Sequence, residues 1–216
     1  MADKGGVEAL SMRRLAKTLS VEAMSLYKHV ANRDEVLDGL LDLVITEIEM
    51  PPVGTPWRIG MRARAMSARR VFLRHRWAAA LFEARVMIPS PVRLRYSNAV
   101  LGLLFNDGFT SAAYRAFLLI DSYLYGFIMQ EVNQNIEPSE MPRIAKRMTA
   151  PPSMAEYPYI VQATSYFMAS NTPHDQTMDA EFEYGLELIL DSLARLRDTE
   201  TGAQATRTPA RETSPN

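Results

Sequence analysis

Apolar positions recur at helical spacing along most of the chain. Leu15, Ala16 and Leu19 fall on one side of a short helix over about Met12–Thr18, and Ser11 is its N-cap candidate. A turn follows at Ser20-Val21. A second helix begins near Ala23, with Leu26 and Val30 four apart on one face. Arg33 to Glu49 reads as a longer helix carrying Val36, Leu37, Leu40, Leu41, Val44, Ile45 and Ile48. Pro51, Pro52, Gly54 and Pro56 then break the chain. Further helices are predicted over 55–75, with a basic opposite face, and over 77–86, 92–105 and 111–134. A last one carries the stripe Phe182, Leu186, Ile189, Leu190, Leu193 and Leu196. No strand alternation of useful length and no internal repeat appears, so the fold class is all-α. From Asp198 onward the only apolar side chains are alanines, and 198–216 is expected to be a disordered tail.

The pair of short helices has the form of a DNA-reading helix-turn-helix. Two helices that cross steeply at close range need a small residue at the contact, and Ala16 supplies one. Leu15, Leu19, Val21, Leu26 and Val30 are the expected shared core. The chain carries a formal charge of −1, so any nucleic-acid surface must be local. Between 11 and 33, Arg13, Arg14, Lys17, Lys28 and Arg33 stand against Glu22 alone, a patch suited to phosphate neutralisation. The same spacing also fits an ordinary amphipathic hairpin with a solvated basic face.

The body offers a second set of expectations. The helix over 111–134 is apolar nearly all round and must be covered on all sides. A partner subunit would cover one face, giving a four-helix interface with the last helix; the alternative is that both helices are central in a monomer. Tyr123, Phe127, Phe182, Leu186, Ile189 and Leu193 are the interface candidates. The body is rich in Met and aromatic residues, which suit an apolar or polycyclic small molecule. The pocket candidates are Met66, Phe82, Phe105, Phe117, Asp121 and Tyr125. Asp121 interrupts an apolar helix, so it must be paired, hydrated or used. His75, between Arg74 and Arg76, reads as a surface residue.

There are no cysteines, which excludes disulfides and thiolate chemistry. The three histidines (His29, His75, His174) share no metal-ligand spacing, and neither metal nor cofactor is expected. Nucleophile-elbow, zincin, phosphate-loop and dinucleotide motifs are missing, so an enzyme is not expected. No stretch approaches the roughly 18 apolar residues of a membrane helix. Nor does the N-terminus hold an apolar signal core, and the expectation is a cytoplasmic protein.

The stretch Leu10–Leu41, LSMRRLAKTLSVEAMSLYKHVANRDEVLDGLL, closely resembles the helix-turn-helix of the tetracycline-repressor (TetR) family, above all in "LYKHV" and "NRDEVLDGL". FEYGLELILDSL (182–193) is similar to the closing helix of that family's sensor domain. The resemblance implies a DNA-binding regulator, a repressor released from a double-stranded operator by a small-molecule effector. Homodimerisation is implied too. It divides the chain into a helix-turn-helix domain with its connecting helix (1–50) and a ligand-binding and dimerisation domain (55–197). Arg13, Ala23, Met24, Ser25, Tyr27, Lys28, His29 and Arg33 match DNA-contacting positions, with Arg33 as a phosphate clamp. Two departures stand out: Ser20 takes a turn position usually held by glycine, and only Met1–Leu10 stand where the family has a full first helix. The second departure motivates another reading, a dimeric small-molecule sensor that has lost DNA binding.

Overall fold

The computed structural model describes residues 1–85, 90–133, 140, 142, 143, 146, 156–168 and 174–205. Contacts divide the chain into two units, Met1–Met129 with Leu186–Asn216, and Gln130–Gly185. Among the described residues every regular element is helical. None of the described helices is long and apolar enough to cross a membrane.

The first unit opens with a one-turn helix α1 (Ala2–Gly5) and a 3-10 turn (Val7–Ala9). Helix α2 (Met12–Leu19) starts where expected, because the Ser11 hydroxyl accepts from the Arg14 N–H at 3.3 Å. It ends at Ser20, which adopts the left-handed conformation (φ 56°, ψ 40°). Helix α3 is a single turn (Ala23–Leu26), but the Val30 N–H still reaches the Leu26 carbonyl at 3.1 Å, so the helical path runs on. Helix α4 (Arg33–Thr46) is capped by Asn32, whose Oδ1 accepts from the Glu35 N–H at 3.0 Å. It buries Leu37, Leu41, Val44 and Ile45.

After the Pro51–Pro56 breaker come α5 (Trp57–Arg74), α6 (Arg76–Ala84), α7 (Pro91–Phe105) and α8 (Ala113–Asn133). The start of α5 is fixed by Asp107, whose Oδ2 accepts from the Trp57 N–H at 2.7 Å. Ser90 caps α7, and Pro91 sits in its first turn, where a missing N–H costs nothing. The breaker separates sequence patterns but not packing: α4 packs against α5, α6 and α7 within the one unit.

The second unit holds α9 (Pro158–Met168) and the first part of α10 (His174–Ala205). Within it Met178 and Phe182 are buried. The rest of α10 belongs to the first unit.

Three expectations are corrected. Helix α10 runs through 198–205, so the tail is not unstructured from Asp198. Glu200 explains part of this: its carboxylate accepts from the Thr110 N–H (3.1 Å), the Ala112 N–H (3.0 Å) and the Ser111 hydroxyl, capping the approach to α8. Residues 206–216 lie outside the described residues. On the basic side of α5, Arg64 and Arg69 are buried. Of the expected head core, Ala16 is buried and Leu15, Leu26 and Val30 are half-buried, but Leu19 and Val21 are 55% and 44% exposed. The elements that precede them do not cover that side.

His75 is not a plain surface residue either. Its Nδ1 lies 2.7 Å from Asp3 and its Nε2 3.2 Å from Glu47, so it joins α1, the end of α4 and the α5–α6 corner. Trp77 donates to the same Asp3 oxygen at 2.6 Å. Burial opposes protonation of His75, but its hydrogen bonds to Asp3 and Glu47 prevail and raise its pKa.

Candidate functional site

The helix-turn-helix end presents a mixed surface. Met24 is 74% exposed and Tyr27 47%, and Arg13, Lys28 and His29 are exposed beside them. Ala23 and Ser25 are half-buried, and the Ser25 hydroxyl bonds the Glu22 carbonyl at 2.7 Å. Arg33 departs from the rest. Its Nε donates to the Leu10 carbonyl at 2.7 Å and its Nη2 to the Val7 carbonyl at 2.5 Å. This guanidinium ties the N-terminal segment to α4, so a phosphate would have to compete with two carbonyls for it.

The body of the first unit holds a half-open cavity of about 790 Å³ between α6, α7 and α8. Four of the six pocket candidates line it: Phe82, Phe117, Asp121 and Tyr125. Met66 and Phe105 do not; Phe105 is 55% exposed near the end of α7. Phe82 stacks on the Tyr125 ring at 4.5 Å, and Phe72 meets both edge-on from behind. Tyr114 and Phe117 form a second stacked pair at 6.3 Å.

Asp121 is paired. Its Oδ1 lies 2.5 Å from Nη1 of Arg64, and Arg64 Nε donates to the Tyr96 hydroxyl at 2.6 Å. Arg64 is fully buried. Burial disfavours its charge, yet Tyr96 and Asp121 outweigh that and raise its pKa. Tyr125 stands four residues beyond Asp121, on the same side of α8. Its hydroxyl is buried beside that of Tyr96, and burial raises its pKa well above the ordinary tyrosine value. Arg64, Tyr96 and Arg93 were not singled out from the sequence. The one available signal was Asp121, which had to have a partner somewhere.

Arg93 connects this cavity to α4. It lines the cavity wall, while its Nε bonds Asp42 at 2.9 Å and its Nη2 bonds Asp38 at 3.2 Å. Arg85 extends the set, pairing with Asp38 at 2.8 Å and Asp34 at 2.9 Å. Asp34, Asp38 and Asp42 follow one another at four-residue spacing, an arrangement that repels itself unless neutralised.

The interface candidates divide. Phe182, Leu186 and Leu193 are buried within one chain, which leaves them no surface to offer a partner. Tyr123, Phe127 and Ile189 are half-buried. The exposed apolar residues of these two helices include Leu118 and Leu119 on α8 and Leu188 and Leu196 on α10.

Comparison with known proteins agrees with this architecture. Residues 50–197 match the family model "Tetracyclin repressor-like, C-terminal domain". An HTH-type transcriptional regulator of Saccharopolyspora erythraea is 33% identical over 199 residues, 90% of this chain and 80% of that protein. The HTH-type transcriptional repressor DrrR1 of Streptomyces coeruleorubidus is 30% identical over 213 residues, 95% of this chain and 77% of that protein. Among solved structures, the Streptomyces coelicolor TetR family protein ActR in complex with actinorhodin aligns with a TM-score of 0.70 at 30% identity, covering 91% of this chain and 92% of that one. The chain therefore belongs to the TetR family of transcriptional regulators.

Proposed function

We propose that this chain is a homodimeric repressor that binds a double-stranded operator and leaves it when a small-molecule effector fills the cavity. The observation that carries the reading is Arg93, which lines the cavity and holds two aspartates of α4, the helix that follows the helix-turn-helix. A ligand that prefers one position of that arginine necessarily biases the position of α4. That ActR is known in complex with actinorhodin supports an aromatic effector for this chain. Arg13, Ala23, Met24, Ser25, Tyr27, Lys28 and His29 are the proposed DNA-facing residues, the cations on phosphate and the small or apolar residues on base edges. Leu119, Leu188 and Leu196 are the proposed dimer-facing residues, with half-buried Ile189 beside them.

The test is fluorescence anisotropy on DNA from the chain's own promoter region at stated salt, with and without actinorhodin. Specific binding that the aromatic ligand reverses supports the reading. One observation favours a second reading, a ligand sensor without DNA binding: exposure of Leu19 and Val21 leaves the helix-turn-helix thinly covered. Dimerisation with no binding to any local DNA would decide for that sensor.

A further inference from the structure

His75 faces two carboxylates at once. Its Nδ1 lies 2.7 Å from Oδ1 of Asp3 on α1, and its Nε2 lies 3.2 Å from Oε2 of Glu47, the residue that closes α4. A carboxylate oxygen only accepts, so a ring bonded to both carries a proton on each nitrogen and is charged. A neutral ring has one N–H to give and turns a lone pair toward the other carboxylate. Asp3 and Glu47 are the charged groups that face the ring; Arg74, from its own corner, reaches Glu47, and the amino terminus bears on Asp3. The side chain is 14% exposed, so burial opposes the charge, but the bonds to Asp3 and Glu47 outweigh burial and raise the pKa.

The two bonds are unequal. The Nδ1 contact is the shorter, and Trp77 donates to the same Asp3 oxygen at 2.6 Å. The Glu47 oxygen already accepts from Nη2 of Arg74 at 2.7 Å, so it keeps a partner when the ring withdraws. A ring that gives up one proton to solvent therefore keeps Nδ1–H on Asp3 and loses Glu47. We infer that His75 is a positioning residue for the DNA-reading end: charged, it fastens the end of α4 to α1 and to the α5–α6 corner, and neutral, it releases that end of α4. Helix α4 follows the helix-turn-helix directly, and Arg33 in its first turn holds the Val7 and Leu10 carbonyls. What α4 does is thereby felt by the whole head. The consequence for DNA rests on the repressor reading. A head whose supporting helix is held loses less freedom on binding, so the charged ring favours the operator-bound state.

Nitrogen-15 NMR of the full chain, followed upward from about pH 6, tests the latch without DNA. Both ring nitrogens of His75 are expected to keep their protons past about pH 6.5, the ordinary histidine value, and Nε2 to lose its proton first. The amide signals of Glu47 and Ile48 should move with the same midpoint. Glu47→Gln should abolish that movement, because a carboxamide can accept from the charged ring and donate to the neutral one. A ring that titrates at or below the ordinary value overturns the inference, as does a neutral ring that keeps its Nε2 proton. Motionless Glu47 and Ile48 amides overturn it as well. Operator affinity, read by anisotropy at fixed salt over the same series, should fall about tenfold more in the unaltered chain than in His75→Gln, the worth of one hydrogen bond to a charged group. His29, exposed on the head, is present in both chains and cancels. Equal falls overturn the positioning role. If His75→Gln does not fold, Glu47→Gln takes its place in that comparison. Failure to bind any local DNA at every pH counts against the repressor reading instead, and the ring and amide signals then decide the latch alone.

Discussion

Arg93 of α7 and Asp42 of α4 are joined by an Nε–Oδ1 hydrogen bond of 2.9 Å, and the Ser90 hydroxyl that caps α7 donates to the same Asp42 oxygen at the same distance. The start of α7 and the middle of α4 are thus held as one piece. Asp38 and Asp34 continue the charged row, with Arg85 as the second cation.

Arg93→Ala should destabilise the chain by about 2 kcal/mol, read as a shift of the urea midpoint, since hydrogen bonds to charged groups are the strong ones. The loss has a second part, the repulsion between the freed Asp42 and Asp38, which keeps Arg85 as its partner. Adding Asp42→Asn to Arg93→Ala should therefore cost less than Asp42→Asn alone. A double-mutant cycle reads this directly, and strict additivity would count against the coupling. Arg93→Lys should restore only part of the stability, because an ammonium cannot reach both aspartates from a planar fork.

Ser20 is the one non-glycine residue with positive φ among the described residues. A side chain there carries a backbone cost of roughly 1–2 kcal/mol, of which glycine's own entropy cost returns a part. Ser20→Gly should raise stability by about 0.5–1 kcal/mol, measured by thermal unfolding. No change would mean that the Ser20 side chain contributes as much as the strain removes.

His75 makes stability pH-dependent above neutrality. Its folded pKa is raised above the unfolded value near 6.5, so the stabilisation is fully present below about pH 6.5. It is lost as pH climbs through the folded value. Asp3, whose pKa is lowered by hydrogen bonds from His75 and Trp77, contributes above its unfolded value near 3.8 and stays constant across this window. Melting temperature should fall as pH rises above about 6.5 in the unaltered chain, and His75→Gln should flatten that slope. An unchanged slope in the variant would remove His75 as the cause.

Helix positions were legible because core-facing residues keep a period of 3.6, and ends were legible where a cap such as Ser11 or an initial proline such as Pro91 stood in the chain. Part of the cavity could be read the same way. Asp121 announced itself as a polar interruption, and Phe82, Phe117 and Tyr125 as aromatics on helices that must pack. The partner of Asp121 could not be read. Arg64 lies 57 residues away, on a helix whose arginines look like a solvated face. Phe105 failed because an aromatic at a helix end need not point inward, and nothing local says which way it turns. The stripe Phe182, Leu186 and Leu193 was read correctly as a stripe, but periodicity does not distinguish a face buried by its own chain from one buried by a second. The bonds of Arg33 to the Leu10 and Val7 carbonyls could not be read either, because a cation beside a helix start satisfies backbone carbonyls as readily as phosphates.

Glu200 caps three groups at the start of α8 from the far end of α10. Glu200→Ala should cost about 1 kcal/mol, as the loss of a helix N-cap does. Faster amide exchange at Thr110 and Ala112 would locate the effect, and unchanged exchange there would refute it.

Arg33 and Lys28 separate positioning from phosphate contact. If the chain binds its operator, Lys28→Ala should weaken binding and lower the slope of log K against log salt by about 1, because an exposed lysine on phosphate releases one counterion. Arg33→Ala should act differently. Its guanidinium is spent on the carbonyls of Val7 and Leu10, so removal loosens the N-terminal segment from α4. Affinity then falls through a less stable head, while the salt slope stays nearly unchanged. Limited proteolysis should cut the Arg33→Ala chain faster within residues 1–30 and leave the Lys28→Ala chain as resistant as the original. A salt slope that drops equally in both variants would return Arg33 to the role of a phosphate clamp, with its two carbonyl bonds exchanged for a phosphate on binding.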